Sequence, residues 1–405
     1  MKILIINSGS SSLKYTLFQM RHEQVLFSGA IDRIGLEGST HVFNAANEPE
    51  TTKELSINDH GKALDEMLNT LVAGPLKFLD ELAAVGHRLA YGGKYLNAVR
   101  IDDAVMAEVR RVTPMFPLHH PAMIIEIEQC MARMPEAQHI AVFDSWFHAT
   151  IPDKAAIYGL PYRYFKEKGY RRIGYHGNSH SYVAKKAAEY LKRPLEQLKM
   201  ITCHLGNGAS LCAIDGGKSI DTTLGITAVE GLIMGTRSGD VDPGLMAVIM
   251  KEESISPDEM INMLYKESGL EAISGVSRDM REIEAAANQG HPRAILALDA
   301  FCYKVKRYIG SMLMVLGGCD TLIFTGGIGR NSPTVRSKSL QGTAELGFII
   351  DETRNNPTGE ANSKEEVLDI SADASRVKIL AIETFEELMM ARLTLEVLEG
   401  HPKKI

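Results

Sequence analysis

Hydrophobic and polar positions follow the same plan in two stretches far apart in the chain. Residues 3–18 (ILIINSGSSSLKYTLF) and 200–214 (MITCHLGNGASLCAI) each run through β-forming residues to a polar position, Asn7 or His204. A Gly-containing turn and an alternating strand follow, which predicts a tight β-hairpin in both places. Hairpins of this kind occur in most mixed proteins, so a third segment matters more. Residues 321–331 (TLIFTGGIGRN) predict an apolar strand that breaks into glycines and leads toward a helix, a place where backbone amides can meet phosphate or ribose. Between these lie helical periodicities. Asn178 to Leu191 carries Val183, Ala184, Ala187, Ala188 and Leu191 on one face, and Pro292 to Leu316 predicts a long helix buried on several sides. Thr384 and Glu387 have the T-x-x-E spacing of a capping box opening the last helix. Segment 351–365, with Asn355, Asn356, Pro357 and Gly359, reads as an exposed turn or loop.

Composition narrows the class. At 405 residues, with 45% hydrophobic and 23% charged positions, the chain is globular nearly throughout and long enough for two domains. Residues 2–6 (KILII) start without a basic n-region, which argues against export, and no apolar run reaches the roughly 18 residues of a membrane span. The five cysteines, Cys130, Cys203, Cys212, Cys302 and Cys319, form no CxxC pair, so a disulfide framework or zinc knuckle is not expected and a cytoplasmic setting is. A net charge of −7 leaves no basic excess for nucleic acid; anion binding must come from local arginines and backbone amides.

Specific strings go further. NSGSSSLKY, GHRLAYGG, PLHHP, FDSWFH, GYHGNSH, HLGNGAS, MGTRSGDVDP, SRDMRE, FTGGIG and FEELMMAR occur in the order and spacing of the acetate/propionate kinase family. From residue 4 to residue 392 the chain resembles that family. The resemblance implies an α/β chain with the two-domain actin-like ATPase fold, a duplicated ribonuclease-H-like core and an interdomain cleft. It implies residues 1–146 plus 383–405 as an acyl/phosphate domain with a returning C-terminal helix, and 147–382 as a nucleotide-binding and dimerisation domain. It also implies ATP/ADP as co-substrate, Mg²⁺ or Mn²⁺, a short-chain carboxylate, and a homodimer without nucleic-acid or membrane partners.

Phosphoryl transfer needs in-line alignment and positive charge around three equatorial oxygens. Arg88 and Arg237 sit in Gly-flanked turns where a planar guanidinium can fork onto carboxylate or phosphoryl oxygens. Read alone, an arginine is a surface or ion-pair residue, His176 a satisfied turn histidine, Asp144 a helix cap and Glu386 a solvated first-turn acid. The resemblance implies more: Arg88 and Arg237 as transition-state clamps, His176 as a donor to the phosphoryl group, and Asp144 and Glu386 as the pair that holds or orients metal and substrate. It assigns Asn7 to the transferring phosphate and the metal, and Ser10, Ser12 and Lys14 to the first phosphate hairpin. His204, Gly206, Asn207 and Gly208 shape the second. Adenosine lies on Asp279, Met280 and Arg281 and on the turn of Gly326, Gly327, Gly329 and Asn331. His119 and Leu118 line the acyl site, and His120 faces elsewhere.

Departures from the family pattern concentrate at that acyl site. Ala90 and Ala228 stand where acetate-preferring members carry valine and proline, and Tyr175 replaces a phenylalanine. A wider pocket selects modestly for a longer acid, about 1–3 kcal/mol per methylene, so propionate or a similar acid is expected over acetate. Tyr91, Lys94, Trp146, Arg278 and Arg330 also depart, and Arg330 either adds a nucleotide contact or hinders adenosine. Two alternatives stay open: a non-catalytic nucleotide-binding relative, and a sugar kinase of the same superfamily, which needs an aspartate base.

Overall fold

The computed structural model of the chain describes residues 1–9, 11–46, 48–116, 120–356 and 365–400. Backbone contacts separate two units: Met1–Trp146 together with the chain from Phe385 onward, and Phe147–Thr384.

In the first unit, β1 (Lys2–Ser8) and β2 (Ser12–Gln19) form the expected hairpin, with Asn7 opposite Lys14. Antiparallel strands β3 (Gln24–Asp32), β4 (Ser39–Ala45) and β5 (Thr51–Leu55) extend the sheet on one side. On the other side β6 (Leu82–Leu89) and then β8 (Gln138–Phe143) run parallel to β1, with the short β7 (Val99–Arg100) at the edge. Helices α1 (His60–Ala73) and α3 (His120–Arg133) bury Leu64, Met67, Leu71 and Cys130 against Leu4, Ile6, Leu13 and Leu17. Helix α2 (Asp103–Val112) adds Val105 and Val109 to a second cluster with Leu89, Ile127 and Phe143. Each such fully buried side chain contributes about 1.5–3 kcal/mol of apolar transfer.

The second unit repeats the plan. Strands β9 (Lys199–Leu205), β10 (Ala209–Asp215) and β11 (Lys218–Thr222) are antiparallel neighbours. Strands β12 (Thr321–Thr325) and β14 (Lys378–Ile382) run parallel to β9, and β13 (Val367–Asp369) closes the edge. Both sheets therefore contain three antiparallel strands followed by two parallel ones, in the order 3-2-1-4-5, around β1 and β9 respectively. The duplicated α/β core expected from the two sequence echoes is present.

The named helices of this unit are α4 (Gly177–Leu191), α5 (Pro243–Glu253), α6 (Met280–Asn288), α7 (Pro292–Leu316) and α8 (Gly326–Asn331). Helix α4 packs on β9, β12 and β14. No described helix is long and apolar enough to cross a membrane. Helix α9 (Glu386–Leu398) belongs to the first unit and lies across β1, β6 and β8. Gly86 is required there: a Cβ would stand 2.5 Å from Thr394 Oγ1.

Three expectations need correction. Thr384 does not cap α9: the helix starts after Phe385 without a side-chain cap, and the Thr384 hydroxyl bonds Ser179 Oγ at 2.8 Å instead. Residues 352–355 are a short helix, not an exposed loop, and Asn355 is wholly buried because Arg336 donates to its Oδ1 at 2.7 Å and to its carbonyl. Of that segment, 357–364 lie outside the described residues. Helix α7 buries a single face, Ala294, Ala297, Leu298, Phe301, Cys302, Val305, Ile309, Met312 and Leu316, while Leu296, Tyr303 and Met314 are exposed.

Candidate active site

Asn7, Arg88 and Asp144 stand at the carboxyl ends of three adjacent strands, β1, β6 and β8, the edge where parallel sheets expose ligand-binding groups. Arg88 NH2 donates to Asp144 Oδ2 at 2.8 Å, and NH1 approaches Asn7 Oδ1 at 3.4 Å. The Asp144 backbone N–H is held by Leu89 O at 2.7 Å, so the carboxylate is fixed by the strand as well as by the arginine. Its side chain is almost fully buried, while Arg88 keeps 24% exposure. Burial alone would lower the Arg88 pKa; the charges of Asp144 and Glu386 outweigh it and raise it. Glu386, in the first turn of α9, is pushed up to about 7 by burial and by the negative charges of Asp144 and Glu387, against the pull of Arg88 and Lys14. Lys14 is exposed, and Gly9 N–H donates to Ser12 O at 2.8 Å within the hairpin turn. Ala90 is buried. Ser10, Leu118 and His119 lie outside the described residues. His120 is buried and stacks on Phe116, centroids 4.7 Å apart.

Behind Arg88, on the opposite face of β6, the sheet is locked by a closed polar chain. His87 Nδ1 meets Glu126 Oε1 at 3.0 Å, and its Nε2 meets His139 Nδ1 at 2.9 Å. Cys130 Sγ donates to the same Glu126 oxygen at 3.0 Å, and His139 Nε2–H donates to Met134 O at 3.0 Å. Although three metal-capable atoms of His87, Glu126 and Cys130 lie within 4.8 Å of one another, each already serves another member of this chain. Burial and the His87 ring hold His139 down to about 4.

The second unit gathers imidazoles instead of carboxylates. His176 caps the N-terminus of α4 in the left-handed region, φ 57°, a conformation that costs a non-glycine residue about 1–2 kcal/mol. Its ring stacks on His204, centroids 4.2 Å apart, and its Nδ1 bonds Ser210 Oγ at 2.8 Å. A Cβ on Gly208 would lie 3.3 Å from His176 Nε2 and 3.8 Å from Arg237 NH1, so both side chains come close to the second hairpin turn and a side chain there would crowd His176. Arg237 NH1 donates to Ala228 O at 3.1 Å and its guanidinium lies over the Tyr265 ring. Gly235 N–H donates to Asn207 O at 3.0 Å, and a Cβ on Gly235 would strike Asn207 Oδ1. Gly206 N–H closes the turn on Gly208 O at 3.0 Å. Tyr175 turns its hydroxyl to Ile226 O at 2.9 Å, and Ala228 is buried.

The two segments expected to carry adenosine meet through Ser332, which donates to Glu284 of α6. Asp279 caps α6 and is paired with Arg281, which holds its carboxyl down to about 2. Met280 is buried. Gly326 has φ 74°, and a Cβ there would stand 2.7 Å from Leu205 O. The glycines themselves open α8, so the helix starts earlier than the sequence pattern indicates. Asn331 Nδ2 bonds Gly327 O at 3.0 Å, Gly327 faces open space, and a Cβ on Gly329 would come 3.3 Å from Cys203 O. Arg330 is buried, with NH2 on Glu365 O at 3.0 Å.

With this geometry in view, the sequence profile of the Acetokinase family matches residues 2–392. The chain belongs to that family. As a member it is a kinase that uses a carboxyl group as phosphoryl acceptor, with ATP/ADP as co-substrate. It is similar to the acetate kinase of Treponema denticola, 47% identical over 98% of this chain and 100% of that one. The acetate kinase of Porphyromonas gingivalis superposes with a TM-score of 0.89 at 38% identity, covering 98% and 99% of the two chains. A propionate kinase from Francisella tularensis gives the same score at 36% identity, covering 97% and 98%. Sequence reasoning missed Ser210, His180, Thr202 and Ser179. Two signals point to them: His176 and His180 are four apart at a helix start, and Thr202 and His204 share one face of β9 opposite Ser210.

Proposed function

We propose that this chain carries out reversible phosphoryl transfer between ATP and a short-chain carboxylate, giving an acyl phosphate and ADP, and that it uses propionate or a similar short acid in preference to acetate. The carrying observation is that a chain matched almost end to end by acetate kinases retains Arg88 locked on Asp144, and His176 and Arg237 converging on Gly208. Arg88 orients the substrate carboxylate, a ready nucleophile that needs no base. Arg237 and His176 donate to the equatorial oxygens as charge spreads over them, while Asn207, Gly208 and the Gly326–Asn331 turn take the nucleotide.

A divalent cation fits the first unit on the chemistry of its donors. Asn7, Asp144 and Glu386 offer hard oxygens, and burial together with the neighbouring Asp144 and Glu387 carboxylates raises the Glu386 pKa against the pull of Arg88 and Lys14. Asn7 and Glu386 would hold Mg²⁺ or Mn²⁺, with Asp144 orienting it; the bound ion supplies charge neutralisation on the ATP phosphates. Helix α5 buries none of its residues, with Leu245 and Val248 exposed, which supports a homodimer formed through the second unit. Free cysteines and a net charge of −7 support a cytoplasmic enzyme without nucleic-acid or membrane partners.

The test is kcat/KM for acetate, propionate and butyrate with hydroxylamine trapping of the acyl phosphate. Propionate is expected to exceed acetate; a clear acetate preference rejects the enlarged-pocket reading while leaving the kinase reading intact.

A further inference from the structure

Resting on the reading of His176 as a donor to the phosphoryl group, we infer that Thr202, His180 and Ser210 form a positioning chain that fixes the His176 tautomer, so that neutral His176 presents Nε2–H at the phosphate hairpin. His180 is fully buried on α4, with Nδ1 2.7 Å from Thr202 Oγ1 and Nε2 2.8 Å from Ser210 Oγ. Ser210 also lies 2.8 Å from His176 Nδ1. The single hydroxyl proton of Ser210 can serve only one of these two rings, so it must accept from the other.

Two polarities satisfy the chain. In the first, Thr202 donates to His180 Nδ1, His180 Nε2–H donates to Ser210, and Ser210 donates to His176 Nδ1; the His176 proton then sits on Nε2. In the second, every bond reverses, His176 Nε2 is bare, and only a cationic ring could donate to a phosphoryl oxygen. The second also turns the buried Thr202 hydroxyl toward Cys212 O at 3.5 Å, a poor bond for a donor with no solvent. The first leaves no donor of the chain short of an acceptor.

Charge points the same way. Titratable groups near the His176 ring include His180 and His204, with Arg237 across Gly208, and His148 packs in turn on His180. Burial and the neighbouring His148 and His204 rings hold His180 well below the usual histidine range. A cationic His176 would face the stacked His204 ring and the Arg237 guanidinium. The second imidazole is backed alike: Ser179 Oγ lies 2.8 Å from His204 Nδ1 and 2.8 Å from Thr384 Oγ1.

Nitrogen-15 NMR of the imidazoles in the intact protein tests this directly. A protonated Nε2 and bare Nδ1 on His176 are expected near neutral pH; an Nδ1–H tautomer overturns the inference. Kinetics give a second test. Ser210→Ala should lower kcat roughly 10- to 100-fold, the usual effect of losing a supporting partner, with little change in either KM. It should also add an acid-favoured limb to the pH profile. His180→Gln, which reaches Ser210, should keep more activity than His180→Asn, which reaches only Thr202. Unchanged kcat and pH profile in Ser210→Ala and His180→Asn, or equal losses in Gln and Asn variants with equally lowered Tm, contradict the chain. Failure of the wild-type protein to form acyl phosphate contradicts the underlying reading instead.

Discussion

The two units share one strand order and differ in what they place at its carboxyl edge. The first gathers charge, with Arg88 clasped by Asp144 and Glu386 pushed up to about 7 by burial and by its like-charged neighbours. The second gathers imidazoles backed by hydroxyls, His176 on Ser210 and His204 on Ser179, beside Arg237. A duplicated scaffold therefore fixes where groups can stand, at the strand ends, without fixing their chemistry. The carboxylate-rich edge suits a cation, and the imidazole edge suits an anion in need of donors.

Breaking the anion-facing side should have the largest effect. Arg237→Ala should lower kcat by about 10³-fold or more, the scale on which a transition-state arginine acts, with folding intact by circular dichroism. On the charged side, Asp144→Asn should cost about 10²-fold in kcat and weaken Mg²⁺ dependence, because Arg88 loses its fixed counter-charge. Metal titrations of the variant against wild type check it.

Stability sharpens the contrast on the rear face of β6. His139 is held at about 4, below an unfolded value near 6.5. The unfolded chain takes the proton first, so stability is full above pH 6.5 and falls as pH drops toward 4, by up to about 3 kcal/mol. Urea titrations across that range should show the loss, and His139→Gln, which cannot titrate, should flatten it. The smallest effect concerns the acyl pocket. Ala90→Val restores volume at a buried position and should lower the propionate-to-acetate ratio of kcat/KM about tenfold.

Which features were readable in the sequence follows from how local their causes are. The two hairpins and the 292–316 helix were legible because alternation, tight turns and helical periodicity are written in neighbouring residues. Asn7, Arg88 and Asp144 reach one strand edge because each ends an apolar run that becomes a parallel strand. The T-x-x-E spacing at Thr384 misled because a contact with Ser179, 205 positions away, claims the hydroxyl. Arg336 overrode the turn signals at Asn355 in the same way, by offering a buried partner that local composition does not display. For Arg330 the sequence left open a nucleotide contact or a hindrance to adenosine; its bond to the Glu365 carbonyl, 35 positions away, is not written in neighbouring residues. The hydroxyls of Ser210 and Thr202 carried no motif of their own; only strand pairing brings them to His180.

The identity of the phosphoryl acceptor is tested most directly by oxygen labelling. The wild-type protein is incubated with Mg²⁺, ATP and propionate carrying ¹⁸O in its carboxyl group, and the acyl phosphate is cleaved at the acyl carbon by hydroxylamine. Direct attack by the carboxylate, which Arg88 is proposed to orient, leaves one ¹⁸O in the released phosphate. Phosphate without label, or ADP formed without hydroxamate, would contradict carboxylate phosphorylation by this chain.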